Sequence, residues 1–157
     1  TLTSLGALDL DSASTASGTM TARPWLPFRP ANVQVEGVTH GSVDADGLSS
    51  VMVTWARRNR LMEDTVVLSW DDADVEPEDG QTTTVAVYTL DGTLITAHDD
   101  LPGTSFELPA SSFSPHSAGV VRVTSKIEGQ ESIQGHGITV VISGGYGYGY
   151  GYNYGGV

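Results

Sequence analysis

Apolar and polar residues alternate along the central part of the chain in a series of short runs. Val33 and Val35 alternate with Gln34 and Glu36, and Val51, Val53 and Trp55 alternate with Ser50, Met52 and Thr54. Val85 and Val87 take one parity against Thr84, Ala86 and Tyr88, and Phe106 and Leu108 bracket Glu107. Val121, Val123 and Ile127 oppose Arg122, Thr124 and Lys126, and Ile138, Val140 and Ile142 form the last such row. A period of two places each apolar set on one face of a half-buried strand. Between the runs stand Asp46-Gly47, Asp79-Gly80, Asp91-Gly92, Pro102-Gly103 and Glu128-Gly129, each supplying a residue that tolerates positive φ at a turn. About seven strands in roughly 115 residues, with no long helical pattern, predict an all-β, two-sheet antiparallel sandwich with Trp55 in its core. Parallel pairing is not expected, because nothing in the pattern supplies crossover helices.

The flanks have a different texture. Residues 1–22 are rich in Ser, Thr, Ala and Gly, with Leu2, Leu5, Leu8 and Leu10 as the main large apolar residues. They read as a linker, with a short amphipathic helix as the alternative; Ser12 to Thr19 is poor helix material. In Arg23-Pro24-Trp25-Leu26-Pro27-Phe28-Arg29-Pro30 three prolines impose an extended path, and Trp25 and Phe28 are expected to plug one end of the sandwich. At the other end Tyr146, Tyr148, Tyr150, Tyr152 and Tyr154 occupy every second position among Gly147, Gly149, Gly151 and Asn153. Extended, the five rings share one face, although glycine makes such a segment costly to order alone. The chain therefore divides into a linker at 1–23, a sandwich at 24–143 and a Gly/Tyr-rich tail at 144–157.

Charge narrows the partners. With 7 Lys+Arg against 19 Asp+Glu the net charge is −12, which repels phosphate backbones, so nucleic acid is not an expected partner. No apolar run is long enough for a membrane span, and the start is not that of a signal peptide. Cysteine is absent, so neither a disulfide framework nor a thiolate metal site contributes. The chain opens on Thr1 rather than Met, which points to a processed product or one segment of a longer polypeptide.

Chemistry-bearing constellations are sparse. Asp71, Asp72, Asp74, Glu76, Glu78 and Asp79 form an acidic stretch, but Pro77 interrupts it and no glycine stands at the sharp-turn position of a calcium loop. It reads as a solvated loop, or as a partner for Arg57, Arg58 and Arg60 on a neighbouring strand end. Those three arginines are also candidates for contact with another subunit or a receptor. His40, His98, His116 and His136 lack ligand spacing, and neither Ser132 nor Ser143 sits in a nucleophile elbow. No catalytic residue, metal site or cofactor is expected.

Pro30-Ala31-Asn32-Val33-Gln34-Val35, Val51-Met52-Val53-Thr54-Trp55 and Leu101-Pro102-Gly103-Thr104-Ser105-Phe106-Glu107-Leu108 resemble the opening strand, the tryptophan strand and the E-strand region of fibronectin type III domains. Thr83 and Val121 stand where that family often has aromatics. A narrower resemblance lies in Arg23 to Ala31, Val53-Thr54-Trp55-Ala56-Arg57-Arg58-Asn59-Arg60 and Trp70-Asp71-Asp72-Ala73-Asp74-Val75. These are similar to the C-terminal region of the tail hub and distal tail-fibre proteins of siphovirus-like phages and gene transfer agents. The resemblance spans roughly Arg23 to Ile142. It implies a non-enzymatic structural module at the tip of a phage-like tail, assembled in the host cytoplasm into the virion. The partners it implies are two further copies in a homotrimer, other tail-tip proteins and a host cell-surface receptor. The tail tyrosines, Tyr146, Tyr148, Tyr150, Tyr152 and Tyr154, are then candidate contacts. The alternative is a fibronectin-III-like spacer or polysaccharide-binding module of a secreted bacterial enzyme.

Overall fold

The computed structural model describes residues 25–62, 69–72 and 75–142. The linker at its N-terminal side, Asp74 and the tail tyrosines lie outside the described residues. Among the described residues nine strands are present: β1 (Ala31–Val35), β2 (Ser42–Asp44), β3 (Ser50–Ala56), β4 (Thr82–Tyr88), β5 (Leu94–Leu101), β6 (Ser105–Pro109), β7 (Ala118–Ile127), β8 (Gln130–Glu131) and β9 (His136–Val141). The helical elements among the described residues are single 3-10 turns at Arg60–Met62 and Ala110–Phe113. Three strands form one sheet in the order β1-β3-β6. The other follows β2-β9-β7-β4-β5, with β8 paired to β7. The fold is all-β and has the layout of a two-sheet sandwich.

The alternating runs supply the core. Val33 and Val35 of β1, Val51, Val53 and Trp55 of β3, Val85 and Val87 of β4, and Leu108 of β6 pack with Val121 and Val123 of β7 and Ile138 and Val140 of β9. Phe106 and Ile142 are only partly buried at its margin. Trp55 is 4% exposed, in keeping with its expected place, but its indole Nε1 has no hydrogen-bond partner among the described residues. The β7–β8 turn is the tight two-residue hairpin that Glu128-Gly129 suggests. Ile127 pairs with Gln130, and the two intervening residues have φ of 49° and 79°.

Several expectations need correction. Trp25 plugs nothing: it is 73% exposed, while Pro27 and Pro30 of the same segment are buried. Pro27 and Pro30 constrain the described part of that segment, so the side chains that meet the sandwich are set by the backbone rather than by ring size. One strand pair is parallel, β2 with β9, registering Val43 against Val140. After β1 the chain leaves its sheet and pairs with the other one before returning as β3, so the two sheets are laced together. Such a change of sheet needs no crossover helix, because the parallel partners are not consecutive strands of one layer. At Pro102-Gly103 the positive φ belongs to Asp100, at 56°, where β4 and β5 also shift register. β5 itself went unanticipated: its sequence, Leu-Ile-Thr-Ala-His-Asp-Asp-Leu, does not alternate. As an edge strand it is covered on one side only, and its paired aspartates discourage further strand addition.

The outward face of the larger sheet is not simply wet. Thr84, Ala86 and Thr124 are buried there, in a groove they share with Arg122. Gly135 is pressed against that arginine, since a Cβ at this position would lie 2.4 Å from Arg122 Nε. Lacking a side chain lets the β8–β9 connection fold down over the sheet.

Candidate functional site

Strand alternation stops at Ala56, and the three arginines that follow go to three different places. Arg57 donates from Nη2 to the carbonyl of Pro102, tying β3 to the β5–β6 turn. Arg58 donates from Nη1 to the carbonyls of Arg57 and Asp72 at 2.8 and 3.2 Å, and from Nη2 to those of Ser69 and Trp70 at 2.5 and 2.9 Å. It thus holds the 69–72 turn against the end of β3. Burial pulls its pKa below the ordinary arginine value, with Asp72 and Asp71 acting in the opposite sense.

Arg60 closes on Glu78 with four hydrogen bonds from three donors. Its backbone N–H donates to Oε1 at 2.9 Å, Nε to Oε1 and Oε2 at 3.0 and 2.9 Å, and Nη2 to Oε2 at 2.6 Å. The Glu78 side chain is 5% exposed and that of Arg60 21%. Burial pushes the Glu78 carboxyl up, but the Arg60 hydrogen bonds and charge outweigh it and the net shift is downward. The same contact raises Arg60. Around the pair, Gln81 donates from Nε2 to the Arg58 carbonyl at 3.1 Å, and Asn59 donates from Nδ2 to that of Glu76 at 3.1 Å. This polar plug joins the chain leaving β3 to the chain entering β4. The three arginines expected as outward contacts therefore each have a partner within the chain, and Tyr146 to Tyr154 lie outside the described residues.

The remaining acidic residues do not converge. Asp71 accepts from the Ser69 hydroxyl, which lowers its pKa, and Asp72 accepts from the Ser69 N–H at 2.7 Å. Among the described residues no group of three or more His, Asp or Glu side chains is placed to hold a metal ion. Ser132 is buried and occupied by the backbone: its hydroxyl accepts from Ser125 N–H at 3.3 Å and donates to the Gln134 carbonyl at 2.9 Å. His98 Nε2 meets the Ser112 hydroxyl at 3.1 Å, yet that histidine stacks on Phe106 and lines neither cavity described here.

Beside the plug lies the larger cavity, about 530 Å³. Its walls are the proline-rich segment from Leu26 to Arg29, then Arg58 and Trp70, then the arch Ser132-Ile133-Gln134. The Arg29 guanidinium lies over the Trp70 ring, 5.5 Å from its centroid. Trp70 in turn meets His136 at 6.2 Å, and His136 meets His40 edge-on at 5.6 Å. His136 Nε2 is fixed 2.7 Å from the Thr39 carbonyl, an anchor that holds this row of rings to the β1–β2 connection. Arg29, Arg58 and Trp70 all stand in segments singled out from the sequence. The Ser132–Gln134 arch had no such signal, because only the β7–β8 hairpin carries it to this end of the molecule. Comparison with protein-family models and with curated proteins finds no significant match for the chain.

Proposed function

We propose that this chain is a non-catalytic structural and host-contact module, built on a fibronectin-III-like sandwich, at the distal tip of a phage-like tail. The observation that carries the reading is the meeting of three separated segments at one end of the sandwich. Arg29 from the first, Arg58 from the second and Trp70 from the third line a single cavity. In sequence these are the segments that resemble phage tail-hub and tail-fibre proteins, so the resemblance extends to parts that cohere in space. The division β1-β3-β6 against β9-β7-β4-β5 supports the fibronectin-III-like reading, since it keeps the Greek-key separation of strands typical of such sandwiches. The hydroxyl at the cavity rim, Ser132, is committed to backbone partners, which favours contact over chemistry there.

In this reading the tail acts by association. Three copies in a threefold assembly raise the effective concentration of the tyrosines, so individually weak contacts add. Deleting residues 144–157 should leave the melting temperature of the isolated chain nearly unchanged, a difference of no more than about 0.5 kcal/mol. The same deletion should reduce trimer persistence or adsorption of particles to host cells. Unfolding of the truncated chain would make the tail part of the sandwich, and normal assembly and adsorption of particles lacking it would overturn its contact role.

A further inference from the structure

Arg29 is exposed, and among the described residues its guanidinium has no hydrogen-bond acceptor and no carboxylate within ion-pair distance. The indole of Trp70 is its one described contact. That contact, 5.5 Å from the ring centroid, places the guanidinium at the mouth of the cavity and leaves its N–H fork available for a planar, bidentate acceptor. Arg58 adds a second positive charge to the wall, with its Nη1 and Nη2 groups occupied by four carbonyls. Asp71 and Asp72, whose charges act on Arg58, are held at Ser69. Phe28 and Ile133 provide apolar walls, and the exposed Gln134 provides an amide at the rim.

We propose that this cavity binds a single uronic-acid unit of a polysaccharide, the local positive charge of Arg29 and Arg58 at its wall acting against the −12 net charge of the whole chain. The ring carboxylate pairs with the Arg29 fork, the C–H face of the ring lies against the apolar wall, and ring hydroxyls reach the Gln134 amide. A carboxylate meeting guanidinium in this way is among the stronger and more directional polar contacts. At about 530 Å³ the cavity lies within the usual range for small-ligand sites, roughly 300 to 1,000 Å³. Its exposed rim lets a polymer enter and leave. An acidic peptide offers the same carboxylate, but on a flexible side chain without a rigid ring to fill the space beside Phe28 and Ile133. The inference deepens the host-contact reading by naming a ligand class, and it is measured on the chain alone.

The test is calorimetric titration of the full chain with tetragalacturonate at low ionic strength, alongside its methyl-esterified form and a tetraglutamate peptide. Saturable binding is expected, weakened about tenfold or more by esterification and by Arg29→Gln, the scale of one lost charge-assisted contact. Trp70→Ala should weaken it as well. Thermal melts check that both variants remain folded, and Arg29→Gln suffices if Trp70→Ala does not. Absence of saturable heat up to about 10 mM, where binding is already weaker than the −4 kcal/mol of a millimolar complex, overturns the proposal. So does equal affinity for the ester, or equal affinity of Arg29→Gln for the acid. Tighter binding of the peptide reassigns the site to acidic peptides and likewise overturns it. Particles carrying Arg29→Gln separate this inference from the reading on which it builds. Binding by the chain together with normal adsorption of these particles upholds the site and counts against its host-contact role.

Discussion

Removing Arg60 from Glu78 should be among the most damaging single changes outside the hydrophobic core, and the damage should depend on pH in a particular sense. The carboxylate is 5% exposed and accepts four hydrogen bonds from three donors of Arg60. In Arg60→Met only the backbone N–H remains, and a buried charge is stranded. Breaking a buried pair in this way costs about 3 to 5 kcal/mol. The 21% exposure of Arg60 places the expected loss near the lower end, about 3 kcal/mol at pH 7. For a domain of this size that is a fall of roughly 10 °C in melting temperature. Glu78→Gln removes the charge but keeps the shape, and should cost about 2 kcal/mol. The double variant has no stranded charge, so its loss should resemble the larger single loss rather than the sum. In the native protein Glu78 lies below its usual value of 4.5, so its contribution is complete above that pH and is lost as pH falls through the depressed folded value. In Arg60→Met burial, the largest influence on Glu78, is opposed only by the remaining backbone N–H and raises the carboxyl, so acid relieves the variant by neutralising it. Denaturant melts of the four proteins between pH 3 and 7 should therefore show the penalty of Arg60→Met shrinking below about pH 5. Additive losses, or a penalty constant across that range, would refute the reasoning.

Two further substitutions probe the sandwich. Trp55→Ala should cost about 3 to 5 kcal/mol, as other large-to-small core changes do. Trp55→Phe should cost far less, under about 1.5 kcal/mol, because it also removes the buried indole N–H that lacks a partner; a Phe variant as unstable as the Ala one would show that the N–H is satisfied in solution. Gly119→Ala should destabilise by about 1 to 3 kcal/mol, since its Cβ would lie 2.9 Å from the Tyr88 carbonyl oxygen and 3.0 Å from Phe113; an unchanged melt would mean that β4 and β7 separate more easily than their register implies.

The strands legible in the sequence are those with a two-residue period, and the reason is physical. Val51, Val53 and Trp55, or Val121 and Val123, each face a closed core on one side and thinner cover on the other, so burial writes the alternation directly into the residues. β5 leaves no such record because an edge strand buries little, and β2 is too short to carry a period. The tight turn at Glu128-Gly129 was legible because positive φ selects the residues locally. Asp100 took up positive φ with no glycine to announce it.

At the candidate site, sequence alone picked out the segments and the residue types: a proline-rich stretch, successive arginines, and a tryptophan followed by acids. Local composition determined that these would be extended, cationic and turn-forming. It did not determine which arginine meets which partner. Arg57, Arg58 and Arg60 follow one another at a strand end, where the direction of each side chain depends on the turn that arrives beside it from elsewhere in the chain. Only the tertiary structure turned Arg58 onto the 69–72 carbonyls, locked Arg60 to Glu78, and left Arg29 over Trp70 with its donors open. The third wall comes from residues 132–134, carried in by a hairpin whose own sequence signals only a turn. Strand period is a local consequence of burial on one face, whereas a cavity is made by segments distant in sequence, and their meeting is fixed by how the two sheets are laced.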